Sequence, residues 1–351
     1  MVGGIWMPGS MIGGRQAKRE DGVSWHEQSI MVRRGSIAGR AGTTHELTEA
    51  AQGRFHHVYG AYAEPVLRVQ PGDTVVVETL DAFGGAVKSE ADLPTRVLTM
   101  PFVNPQSGPI LVEGAAKGDV LAVRIDAIRP RGPQPRGTTC LIPEFGGLVA
   151  TGATALLNPP LPERVRKVEV DEQTGVRWNE RITLPYAPFI GTIGVAPEIE
   201  AISSLVPDYY GGNMDLPDMA PGAIAYFPVQ TAGAYLHVGD CHARQGDGEL
   251  CGVAIEMHAT VTLTVDLIKG WSIAWPRLET ERLIMAIGSA RPMEDAIRIA
   301  YRELIRWLEA DWGWDPLEAY LFLTQAGLVR LGNMVDPKYT LGAAVEKSYL
   351  G

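Results

Sequence analysis

Residues 253–268 place the tightest constraint on what this chain can fold into. Ile255, Met257, Ala259, Val261, Leu263, Val265 and Leu267 alternate with Glu256, His258, Thr260, Thr262, Thr264 and Asp266. A period of two puts one set on each face of an extended strand, whereas a helix would scatter the apolar set around its axis. One face therefore belongs to a core, and the other is wet or functional.

Two shorter segments repeat a related pattern. PGDTVVVETLDA (71–82) and KGDVLAVRIDA (117–127) each set a Gly-Asp turn before an alternating apolar strand that ends in Asp-Ala. Either a duplication or two ordinary strands using the same turn accounts for the likeness. Forty glycines and 25 prolines are spread along the 351 residues, which fits many tight turns between short strands. Helical signals come late. In 292–312 Ile297, Ala300, Leu304 and Leu308 recur at helical spacing, and Asp315-Pro316-Leu317-Glu318 supplies an N-cap, a first-turn proline and a capping-box acid.

The expected fold is mainly β with α, a β-rich body plus a C-terminal helical pair packed on it. It divides into an irregular N-terminal tail at 1–40, a β-rich body at 41–290 and a helical C-terminal subdomain at 291–351. Residues 130–160 and 185–222, rich in Pro and Gly, read as long loops of the kind that carry sites.

Composition bounds the function. With 46% hydrophobic and 21% charged residues, the chain can bury a substantial core. A net charge of −10 and the lack of a Lys/Arg run argue against a nucleic-acid partner. The spacing of Cys140, Cys241 and Cys251 matches neither a zinc knuckle nor a disulfide framework, so a reducing cytoplasm is the expected compartment. The first twenty residues lack the apolar core of a secretory signal. No run of about 18 apolar residues offers a membrane span.

Chemistry concentrates in HVGDCHARQGDGE (237–249). Asp240 and His242 are two apart and share a face if the backbone is extended, and a carboxylate with an imidazole suits zinc or a similar divalent ion. The same residues would also serve as a solvated surface turn. Upstream, GGNMDLPD (211–218) sets Asn213 and Asp215 where they could bind a small polar ligand or simply form Asx turns. Glu144, between Pro143 and Gly146-Gly147, is a general-base candidate or a solvated loop acid.

GGNMD (211–215), PGAIAYFPVQTAGAYLHVGDCHARQGDGE (221–249), the following AIEMHATVTLTV, GTIGVAP (191–197), PGDTVVVETLDA (71–82) and GPILVEGAAKGDVLAVRI (108–125) resemble the signature stretches of the acetamidase/formamidase family, in one colinear order. The resemblance implies a β-sandwich-like body with helical additions and a homo-oligomeric enzyme that hydrolyses formamide, acetamide or a similar short amide to carboxylate and ammonia, its site within the 41–290 body. It also implies a divalent metal, zinc by expectation. Carried over by position, Asp240 and His242 are metal ligands; apart from that carry-over, Asp81 at a strand end and His57 just before the first matched strand are candidates to complete the shell from across the cleft. Glu249 or Asp247 is the proton shuttle, and Asn213, Asp215 and Gln245 bind the substrate. A strand-end cap is the plainer reading of Asp81, and an exposed loop histidine that of His57. Two rivals remain: Cys241 as nucleophile beside His242, which strand geometry disfavours because neighbours point oppositely, and a non-catalytic ligand-binding module with a structural metal.

Overall fold

The computed structural model describes residues 42–149 and 161–350. The tail expected at 1–40 lies outside them, as does part of the 130–160 segment. Two large sheets dominate. The first has nine strands in the order Thr44–Leu47, Thr74–Thr79, Ala259–Ile268, Val120–Pro130, Ile224–Pro228, Arg277–Glu279, Leu283–Ala290, Tyr339–Glu346 and Leu328–Asn333. The second runs Thr183–Leu184, Gly175–Arg177, Arg164–Asp171, Arg136–Leu141, Glu256–Met257, Leu236–His242, Phe189–Gly194 and Gly211–Asn213. Gln106–Val112 also pairs with Leu236–His242 and carries Leu67–Val69 in parallel.

Burial explains the layering. Val75, Val77, Val123 and Leu263 of the first sheet join Ile190, Ile193 and Val238 of the second in one continuous buried cluster, as facing sheets of a sandwich must. Alternate residues of the first sheet point the other way: Ile284, Ala286, Ala343 and Val345 pack with Ala300, Leu304, Trp307 and Leu308 of helix Met293–Trp312. A second helix, Pro316–Ala326, is capped by the Asp315 carboxylate, which accepts the backbone N–H groups of Leu317 and Glu318, each at 3.0 Å. The mainly β fold and its helical pair thus follow the sequence pattern.

The repeated turns share one cause. In Gln70-Pro71-Gly72-Asp73 and Ala116-Lys117-Gly118-Asp119, the Asp N–H donates to the first carbonyl at 3.0 Å. The Asp carboxylate in turn accepts the first residue's N–H, at 2.8 and 2.7 Å. The glycines have φ of +97° and +93°, the left-handed position that a type II turn demands. Their strands flank Ala259–Ile268 on either side.

Three features depart from the sequence reading. The alternating run 253–268 is not one strand: Glu256–Met257 lies in the second sheet and Ala259–Ile268 in the first. Period two specifies faces, not partners, so the pattern runs unbroken through a change of sheet. The segment 185–222 contains the strands Phe189–Gly194 and Gly211–Asn213, and Arg136–Leu141 lies in 130–160. Glycine is dense there because backbones approach closely: a Cβ on Gly194 would lie 2.6 Å from the Tyr210 carbonyl. Finally, the chain after the helices returns to the first sheet as Leu328–Asn333 and Tyr339–Glu346, so residues 291–351 are not helical throughout.

A Cβ on Gly118 would meet open space, but the backbone there is left-handed. Gly118→Ala should therefore cost about 1–3 kcal/mol from strain alone, read as a lower midpoint in denaturant unfolding with unchanged slope.

Candidate active site

Strand Leu236–His242 runs through the middle of the second sheet and is buried along its whole length. It pairs with Phe189–Gly194, Gln106–Val112 and Glu256–Met257. Asp240 and His242 are 3% and 1% exposed. The register Cys241↔Met257 and His242↔Glu256 brings in Glu256, 2% exposed. His242 Nε2 lies 3.3 Å from Asp240 Oδ1 and 3.1 Å from Glu256 Oε2.

These three facing atoms are all buried without a hydrogen-bond partner, as are both carboxylate oxygens of Asp215. Their other atoms are committed. Gln245 donates its amide to the carbonyls of Asp215 (2.8 Å) and Gly332 (2.9 Å), which turns its Oε1 to His242 Nδ1 at 3.1 Å. Nδ1 then carries a proton, and Nε2 faces the carboxylates, where a cation in place of its proton would meet all three groups. Asp240 Oδ2 accepts from Thr192 Oγ1 at 2.9 Å and Asn104 Nδ2 at 3.4 Å, and Glu256 Oε1 accepts from the Ala254 N–H at 3.0 Å.

The donor set fits a small divalent cation. Donors about 2 Å from one tetrahedral ion stand about 3.3 Å apart, close to the two spacings above. Asp240, His242 and Glu256 form one group able to hold a metal, and Asp215, His242 and Glu249 form a second that overlaps it. The second ring is fixed as firmly as the first. Asn104 donates to Asn213 Oδ1 at 2.9 Å, the Thr192 hydroxyl lies against the same oxygen, and Asn213 donates to Asp336 at 2.8 Å.

Electrostatics point the same way. Asp215, Asp240, Glu249, Glu256 and Asp336 surround one imidazole, all buried. Burial, reinforced by neighbouring acids, pushes Asp215, Glu249 and Asp336 well above the usual carboxylate range. Burial likewise lifts Glu256, to about 8 against the pull of His242. For Asp240 the raising effect of burial is outweighed by His242, which holds it low. For His242 the lowering effect of burial is outweighed by Glu256 and Asp240, which raise it. A pocket this acidic must be compensated by protons or by a cation.

The backbone is bent to make this arrangement. Asn104, Asp215, Asp240 and Glu249 have φ of +58°, +48°, +55° and +49°, a region non-glycine residues enter at some cost and mostly at functional sites. Gly191 is the floor. A Cβ there would lie 2.7 Å from Asp215 Oδ1 and 2.8 Å from Asp240 Oδ2 and His242 Cε1. Its carbonyl also accepts the N–H groups of Met214 (3.1 Å) and Asp215 (3.0 Å), pinning the GGNMD turn against the site.

The structure brings together Asp240, His242, Glu249, Asn213, Asp215 and Gln245. It places Asp215 in the ligand cluster and spends the polar atoms of Gln245 and Asn213 on positioning other side chains. Asp247 and Glu144 are exposed. Asp81 caps its own turn, accepting from Phe83 (3.2 Å) and Gly85 (2.8 Å) N–H groups. His57 is half-buried and packs edge-on against Phe102. Sequence reasoning passed over Glu256, Asn104, Thr192 and Asp336. Only Glu256 carried a signal, as an acid on the second face of the alternating run.

An open cavity of about 330 Å³ reaches this cluster, with Glu249 and Gln245 among its lining residues.

A model of the acetamidase/formamidase family matches residues 42–205 and 198–337. An acetamidase of known structure from Yersinia enterocolitica is 56% identical, with a TM-score of 0.89 over 93% of this chain and 99% of that one. Another, from Bacillus halodurans, is 31% identical, with a TM-score of 0.78 over 87% and 99% of the two chains. The acetamidase of Mycolicibacterium smegmatis is 28% identical over 257 residues, and the match spans 58% of this chain and 63% of that protein, less than two thirds of the relative's length. The family match along most of the described residues and a shared fold at this level of identity lead to one conclusion: the chain belongs to the acetamidase/formamidase family.

Proposed function

We propose that this chain hydrolyses a primary aliphatic amide of the formamide and acetamide kind to its carboxylate and ammonia, with a divalent cation held by Asp240, His242 and Glu256. The observation that carries the reading is that three of the bare atoms of the buried cluster, Asp240 Oδ1, His242 Nε2 and Glu256 Oε2, are gathered at one place. Imidazole nitrogen and carboxylate oxygen are both donors that zinc accepts, and three protein ligands leave a fourth position open. Zinc is accordingly the ion we assign.

An amide resists water because resonance blunts its carbonyl and makes its nitrogen a poor leaving group. A bound cation of this kind supplies Lewis acidity toward carbonyl oxygen and water. The chain's own residues supply the rest. Gln245 holds His242 in one tautomer, and Asn104 with Thr192 holds the Asp240 carboxylate, the outer-shell support on which metal affinity depends. Glu249 is the one carboxylate of the cluster that lines the cavity. Its Oε1 accepts from the Ala254 N–H at 3.1 Å, leaving Oε2 to carry a proton. Burial favours the protonated form of that acid, which suits it to deliver a proton to the departing nitrogen.

A cysteine nucleophile has less support. Cys241 is fully buried in the core, and burial pushes its thiol up to about 12, far from the activated thiolate such chemistry uses. The reading as a metal-dependent hydrolase also carries a homo-oligomeric assembly and a cytoplasmic setting as proposals. Among the described residues no helix is long and apolar enough to cross a membrane.

Three outcomes are expected. His242→Ala should lose both the bound metal, measured by elemental analysis, and ammonia release from acetamide. Metal retained with full turnover would remove the assignment. Glu249→Gln should keep its metal while turnover falls by about 10²–10⁴. The pH behaviour follows from Glu256, raised from 4.5 to about 8. Between those values the folded metal-free chain holds a proton that the unfolded chain has lost, so stability falls as pH rises through this window. A cation displaces such protons, so added zinc should raise the melting temperature more at pH 8 than at pH 6 in calorimetry of chelator-treated protein. A metal-free chain that grows more stable over that range would contradict the assignment.

A further inference from the structure

The cavity beside Glu249 is larger than formamide or acetamide needs. Those molecules have three and four heavy atoms, whereas a volume of about 330 Å³ lies within the range that holds much larger ligands. Its lining is mainly apolar, Trp178, Leu184, Val253 and Ile255 among it, with Gln245 and Glu249 as its members from the buried cluster.

Both walls are built in advance. Trp178 and Leu184 belong to the edge hairpin in which Gly175–Arg177 pairs with Thr183–Leu184. The Arg166 guanidinium stacks on the Trp178 ring at 4.3 Å and donates to the Trp178 carbonyl, and the Trp178 N–H donates to the Ile182 carbonyl at 3.0 Å. The ring is held flat by these contacts. Val253 and Ile255 are 7% exposed. The Ile255 carbonyl accepts from the Ala243 N–H at 2.8 Å, and its N–H donates to the Arg244 carbonyl at 3.1 Å, so this wall is fastened to the strand that carries His242.

We infer that the preferred substrate is a primary amide with a bulky apolar acyl group, a chain of about four to six carbons or a phenyl ring, seated against Trp178, Leu184, Val253 and Ile255. The inference rests on the proposed amide hydrolysis and moves its substrate class upward in size. If the carboxamide sits at Glu249, whatever is bonded to its carbonyl carbon occupies this cavity. A one-carbon acyl tail leaves most of the apolar lining facing water. Each further methylene removes apolar surface from water on both the substrate and the walls.

The test is catalytic efficiency of the zinc-loaded enzyme, by ammonia release, on formamide, acetamide, butanamide, hexanamide and benzamide, with N-methylacetamide and N-hexylacetamide as controls. Efficiency should rise roughly fourfold per added methylene until the cavity is filled, as burial of a methylene predicts. In Trp178→Ala and in Leu184→Trp, the one widening and the other narrowing the slot, the ratio of hexanamide to acetamide efficiency should fall at least tenfold. A ratio is used because a general loss of folded protein cancels from it. Efficiency that peaks at formamide or acetamide, or a ratio unmoved by both variants, would overturn the inference while leaving amide hydrolysis intact. A preference for N-hexylacetamide over hexanamide would overturn it too, by assigning the cavity to the nitrogen side. No ammonia from any amide with zinc bound would sink the proposed function and this inference together.

Discussion

The contact on which the rest depends is between His242 Nε2 and the carboxylates of Asp240 and Glu256, deep inside the second sheet. Three unsatisfied atoms, the imidazole nitrogen 3.3 Å from one carboxylate oxygen and 3.1 Å from the other, are costly to bury. Much of the surrounding structure consists of groups that keep them there. Gln245 takes the one imidazole nitrogen that could otherwise relieve the strain, and Asn104 and Thr192 occupy the far oxygen of Asp240. What stays bare on Asp240, His242 and Glu256 is gathered where the proposed cation would bind. A buried acidic cluster must otherwise hold protons or be paired internally.

Assembly of this point draws on distant parts of the chain. Asn104 precedes strand Gln106–Val112, Thr192 and Gly191 lie on Phe189–Gly194, Asn213 and Asp215 come from the GGNMD turn, and Asp336 follows the last helix by ten residues. Four non-glycine residues with left-handed φ mark where the backbone was turned to aim side chains inward. Gly191 does the reverse, removing a side chain so that Asp215, Asp240 and His242 can meet over it. Local strain and local emptiness act together, and the close packing of two sheets holds both in place.

The cavity extends the picture outward. Its walls come from the edge hairpin around Trp178 and from the segment that carries Glu249, so the group proposed for proton transfer and the surface proposed for an acyl chain line one cavity. Changes in the hairpin could then tune which amide is accepted without touching the cation ligands. Such a division between a fixed chemical centre and a variable wall is a physical route by which one fold serves several substrates.

Local chemistry was legible in the sequence wherever it repeats or stands alone. The type II turns before Thr74–Thr79 and Val120–Pro130, the Asp315 cap and the amphipathic helix Met293–Trp312 all follow from residue order. So does the pairing of Asp240 with His242 on one strand face, since period two specifies which side chains travel together. Glu256 shows where that reasoning stops. Its face was readable but its neighbours were not, because alternation passes unchanged through the switch of sheets at His258. Asn104, Thr192 and Asp336 carried no signal, being ordinary polar residues whose meaning comes from what lies across from them. The sequence by itself determined which side chains share a face and where the chain must turn. Only the tertiary structure decided which faces meet, because strand register and sheet partner are set by burying a whole core at once, and that choice turned scattered acids and one histidine into a site.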